Sequence, residues 1–139
     1  MTNEKPGLMT GEEMRTRLHK GENAIELSVE KWRRIVQWHI KSGGMPDREL
    51  LKANSCALCE RYYDGAYDAL GNECEYCPYM IKYGIDCKDE DGHYKKYMHE
   101  PSEKTAREMY DALAALGGSF SFFILILYYI FFLVYVMHI

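Results

Sequence analysis

Five cysteines confined to residues 56–87 constrain this chain more than any other feature. They read Cys56-Ala-Leu-Cys59, then fourteen intervening residues, then Cys74-Glu-Tyr-Cys77-Pro78, and after nine more Cys87. Two C-x-x-C pairs at this separation are a common layout for a four-thiolate metal site. Each pair presents two sulfurs from one tight turn, and the loop between lets both turns meet around one ion. Zinc (Zn2+) on Cys56, Cys59, Cys74 and Cys77 is therefore the first assignment. Four thiolates would close the coordination sphere and make a structural centre that stabilises a small fold outright. Cys87 is then a spare thiol or replaces one of the four, and His93 and His99 are further substitutes.

Two other chemistries compete for the same residues. Cys77-Pro78 echoes the ending of ferredoxin cluster motifs, which makes an iron–sulfur cluster the main rival, although no C-x-x-C-x-x-C run occurs. A thiol redox protein using one C-x-x-C is the other, although no βαβ pattern surrounds either pair. No H-E-x-x-H, paired-carboxylate or nucleophile motif points to hydrolysis, so the reading leans away from an enzyme.

The charge balance, 17 basic against 21 acidic residues and a net of −4, argues against a nucleic-acid partner, which normally meets a basic face. The N-terminal segment lacks the apolar run of a secretory signal. A reducing compartment is expected, where C-x-x-C pairs are metal or redox sites and an odd count of five cysteines suits neither full pairing nor export.

Along the chain, residues 1–24 read as a loosely ordered arm interrupted by Pro6, Gly7, Gly11 and Gly21. The spacing of Val29, Trp32, Val36 and Ile40 predicts a helix over 28–41, capped by Ser28 and stopped by Gly43-Gly44, with Lys31, Arg33, Arg34 and Lys41 on the solvated side. His39 reads as a packed histidine. Asp47 can cap a short helix from Arg48. Tyr62, Tyr63 and Tyr67 lie in a turn-rich loop and are expected to shield the cysteine site. Ser102 caps a helix through Leu116 whose apolar stripe is Ala106, Met109, Tyr110, Leu113 and Leu116. The 25–116 stretch is thus one cysteine-rich domain with flanking helices.

The tail differs from everything before it. No Asp, Glu, Lys or Arg follows Asp111, and all five Phe lie between residues 119 and 139. Residues 120–137, interrupted only by Ser121, would reach about 27 Å as a helix, near the thickness of a bilayer core. A transmembrane segment over 119–139 is expected, with the lipid bilayer as partner. Lys104 and Arg107 on its N-terminal side place the cysteine domain in the cytoplasm, as a single-pass protein of the inner membrane. An out-of-frame or fused extension would give the same abrupt change.

The segment from Ser55 through Cys56, Cys59, Cys74, Cys77-Pro78 and Cys87 to Tyr94 or Tyr97, followed by Glu103 to Leu116, resembles small cysteine-rich proteins encoded by bacteriophages and prophages. The resemblance covers about residues 27–116 and carries all five cysteines over as shared positions. It implies no activity, and the apolar tail departs from its pattern. The resulting expectation is a mainly α, metal-stapled domain of zinc-ribbon or knuckle type, flanked by helices and followed by one transmembrane helix. Its expected role is a non-enzymatic, zinc-binding adaptor for an unidentified protein partner, with a membrane-active lysis-type protein as a further alternative.

Overall fold

The computed structural model describes residues 7–52, 56–62, 76–87 and 89–138, with backbone alone for 118–123. The described residues form seven α-helices: α1 (Gly11–His19), α2 (Ala24–Ser42), α3 (Ala57–Tyr62), α4 (Pro78–Tyr83), α5 (His93–His99), α6 (Glu103–Ala114) and α7 (Gly118–Met137). A 3-10 turn (Arg48–Leu51) precedes α3, with the Asp47 carboxylate accepting from the Glu49 N–H at its start.

The helix starts follow local chemistry. Asn23 caps α2 by accepting from the N–H groups of Ile25 and Glu26, which satisfies donors that have no partner inside the helix. The helix therefore begins four residues before the expected cap, and Ser28 lies inside it, buried. At α6, Ser102 and Thr105 form a reciprocal capping box. Residues read as a loose arm supply α1, capped by Thr10, and bury Met9 and Met14.

The scaffold is the packing of α2 against α6, with α5 along α6 and α3 and α1 against α2. Every third or fourth residue of α2 faces inward: Leu27, Lys31, Trp32, Ile35, Val36 and His39 are buried, whereas Ile40 is 56% exposed. From α6, Ala106, Met109 and Leu113 meet them. Tyr97 of α5 closes the contact. Its ring stands edge-on to Trp32 at 4.9 Å, and its hydroxyl lies 2.7 Å from His39 Nε2. Arg17 pairs with Glu13, Glu22 and Glu30, and Arg34 with Glu13 and Glu30, tying α1 to α2 at the surface.

Two architectural expectations are overturned. The fold is mainly helical, but its interior is this apolar layer rather than a metal-stapled ribbon or knuckle. There is no strand among the described residues, and no group of three or more His, Cys, Asp or Glu among them is placed to hold a metal ion. Among the described residues, no helix is long and apolar enough to cross a membrane. The expected transmembrane segment over 119–139 is corrected accordingly.

Candidate thiol site

Three helix beginnings bring cysteines to one place. Cys56 precedes the first turn of α3 and Cys59 lies within it; the Cys56 carbonyl accepts the Glu60 N–H at 2.9 Å. Cys77 is the N-cap of α4, and Pro78 occupies the first helical position, where its missing N–H breaks no bond. Cys87 sits in the turn before α5, where its carbonyl accepts from Lys95. All four are unoxidised and half-buried. They line a single cavity of about 30 Å³, walled by Leu58, Tyr62, Tyr79, Met80, Met109 and Leu113, with Asp86 at its margin. Cys74 falls outside the described residues, as do Tyr63 and Tyr67. Tyr62 does shield the site.

The sulfurs differ in charge. Cys56 is pushed down to about 5, first because the Cys59 thiol donates a hydrogen bond to it. Burial opposes that shift, while the Lys31 ammonium and the N–H groups of Cys59 and Leu58 reinforce it. Cys56 is thus a thiolate at neutral pH, in the way that cysteines beside a cation and a helix start become nucleophilic. Cys77 moves the opposite way. Burial raises it, the N–H groups of Tyr79 and Met80 only partly offset that, and the charges of Cys56 and Asp86 add to the rise.

Lys31 is the functional residue that sequence reasoning placed wrongly. It was assigned to the solvated face of α2, yet it is only 4% exposed. Burial lowers its affinity for its proton, and the sulfurs of Cys56, Cys59 and Cys87 sustain its charge. A signal was present: Leu27, Lys31 and Ile35 recur at intervals of four, so Lys31 occupies a core position.

The zinc assignment meets this geometry only in part. Sulfur donors suit zinc chemically, but no three ligand side chains among the described residues stand together as a centre. Neither substitute histidine joins the sulfurs. His93 Nδ1 lies 2.6 Å from the Tyr79 hydroxyl, and exposed His99 faces Glu90 at 3.3 Å.

The arrangement can perform nucleophilic sulfur chemistry at Cys56, with a second sulfur at hydrogen-bond distance. No protein-family model, curated protein or solved structure matches the chain.

Proposed function

We propose that the protein is a thiol–disulfide exchange module working through Cys56 and Cys59. The observation that carries this reading is that Cys56 and Cys59, three positions apart at the start of α3, are both unoxidised and line the same small cavity. They pair a nucleophile with a resolving sulfur already within reach.

The co-reactant is a disulfide on a small molecule or a partner protein. The Cys56 thiolate attacks one sulfur of that disulfide, forming a mixed disulfide and releasing the other sulfur as a thiolate. The released thiolate takes the Cys59 proton. Cys59 then attacks Cys56, closing the Cys56–Cys59 disulfide and releasing the second thiolate. Two electrons pass from the pair to the substrate, and one proton is accounted for throughout. The cavity holds little more than one water molecule, so a disulfide co-reactant does not fit inside it, and the exchange requires the α3 start to open.

Equilibration in glutathione buffers of graded potential, followed by peptide mapping, tests this. The expected product is a single disulfide joining Cys56 to Cys59, formed and reversed over one two-electron transition. Oxidation that leaves Cys56 and Cys59 unjoined defeats the reading.

A second reading, capture of a soft metal ion such as zinc, is favoured by one observation: four cysteines from three segments line one small cavity, and binding would have to draw them closer, since no three of these described residues stand placed to hold an ion. Here the sulfurs of Cys56, Cys59, Cys77 and Cys87, with Cys74, would be the donors. Tight one-to-one zinc retention against a chelator, with proton release on binding, supports it.

A further inference from the structure

We propose that α7 pairs with α7 of a second copy of this chain, along a seam formed by Ile126, Ile130, Leu133 and Met137. This pairing is independent of the thiol site. No charged residue occurs in α7, and residues 124–137 are exposed on every side of the helix. A helix that is apolar all round settles in water only when something covers it. The helical domain does not do so: among the described residues its core ends at Leu113, and Gly117 separates α6 from α7.

The four seam residues recur at intervals of four, three and four, the a/d spacing of a coiled coil. At 3.6 residues per turn they fall within about 60° of the helix circumference. None of them carries a hydroxyl or an amide. Tyr128 and Tyr135 lie on the opposite side, 77% and 66% exposed, with Phe131 beside them. Covering that aromatic side would take two hydroxyls out of water, where an unpartnered hydroxyl is costly. Pairing through the aliphatic seam leaves both of them hydrated. Leu127 and Val134 along one edge, and Tyr129 and Val136 along the other, widen the contact.

Two features point to a second copy rather than to a different protein. Unlike helices choose one another through charges that flank the seam, and α7 has none. An uncharged aliphatic seam is complementary to itself, as a two-fold contact between identical chains requires. The area is also sufficient. At about 100 Å² of apolar surface for each of fourteen side chains, α7 presents on the order of 1,400 Å². A stable interface covers roughly 800 Å² per partner, little more than half of that.

The test is sedimentation equilibrium of the full chain in detergent-free, reducing buffer. A single species of twice the chain mass is expected. Ile130→Glu combined with Leu133→Glu is expected to raise the dissociation constant about a hundredfold or more, because it buries charge in the seam. Tyr128→Glu combined with Tyr135→Glu, on the opposite side, is expected to change it by no more than about threefold, the scale of surface substitutions. A monomeric full chain overturns the proposal. Association that both pairs of substitutions dissolve equally also overturns it, since that is the mark of unspecific clumping.

Should the glutamate variants fail to fold, Ile130→Ala with Leu133→Ala is expected to weaken pairing about tenfold through lost apolar contact, and an unchanged dissociation constant would count against the seam. The remaining occupant, a lipid surface, is checked by flotation with phosphatidylcholine vesicles. The paired chain is expected to stay with the unbound fraction. Transfer of the full chain to the vesicles with loss of pairing would overturn the proposal.

Discussion

Tyr79 and His93 hold each other at two points: the His93 main-chain N–H donates to the Tyr79 hydroxyl at 3.0 Å, and that hydroxyl lies 2.6 Å from His93 Nδ1. The first contact stands in for a helix cap, because Gly92 at the start of α5 has no side chain to offer. The Tyr79 ring also walls the thiol cavity. Replacing it by Phe keeps the wall and removes both hydrogen bonds. Tyr79→Phe is expected to lower stability by about 1–2 kcal/mol, read by urea denaturation, with alkylation of Cys56 unchanged.

Acid should weaken the fold through its histidines. Burial is the leading cause that holds both His39 and His93 below the ordinary imidazole value. The unfolded chain therefore binds protons that the native chain refuses, and stability falls as pH drops below about 6.5. Urea midpoints measured at neutral pH and near pH 5.5 should differ in that direction. A chain carrying His39→Gln and His93→Gln should show a smaller difference, whatever its starting stability.

Cys56 offers a second pH signature with the opposite practical sense. Because the thiol is pushed down to about 5, its reaction with iodoacetamide should persist in mild acid and fade only as pH falls through that value. Peptide mapping after brief exposure distinguishes it from Cys77, whose thiol is raised by burial and should react only in alkaline solution. Equal rates at the two positions near pH 6 would contradict the asymmetry of the site.

Gly92 is the tightest steric point beside the cysteines. A Cβ there would stand 2.6 Å from the Cys87 carbonyl oxygen and 2.8 Å from that of Asp86. Both neighbours are main chain and cannot rotate aside. Gly92→Ala is expected to cost about 2 kcal/mol or more through forced backbone displacement. Because the displaced residue is Cys87, the variant should also alter the reactivity of the thiol site, measurable in the same alkylation assay.

Removing residues 118–139 should leave the domain folded. Residues 124–138 are exposed throughout, and among the described residues every buried residue of the core lies between Met9 and Leu113. The expected change in unfolding free energy is within about 0.5 kcal/mol, the range of surface changes. Solubility should rise, since an exposed apolar surface of this extent promotes association.

The two long helices of the domain were legible because each carries its own record of burial. Trp32 and Val36 on α2, and Ala106, Met109 and Leu113 on α6, recur with helical spacing and are buried as that spacing implies. Ser102 and Asp47 are caps in sequence and in structure. Met9 and Met14 were not legible, because a methionine in a short polar helix becomes core only when other elements cover it. The start of α2 was misplaced because Ser28 satisfies the local rule for a cap, while the competing signature of Asn23 with Glu26 lies one turn earlier. Cys56, Cys59, Cys77 and Cys87 line one cavity, but their unequal charges could not be read from their spacing. That inequality depends first on the Cys59 contact at Cys56 and on burial at Cys77, with Lys31, twenty-five positions before Cys56 and on a different helix, adding to it. Local periodicity placed Lys31 correctly on the helix, and the assumption that lysines seek water then misassigned it.

Gly117, between α6 and α7, has a φ of 136°, a region that residues with side chains rarely adopt. The bearing of α7 is accordingly set within the short link 115–117, with Gly117 at its end. A helix of twenty residues is a lever arm of about 30 Å. A turn of about 10° at its pivot carries the far end through about 5 Å. A side chain at Gly117 would be strained in that backbone conformation, so a substitution there is expected to aim the apolar arm along a different line.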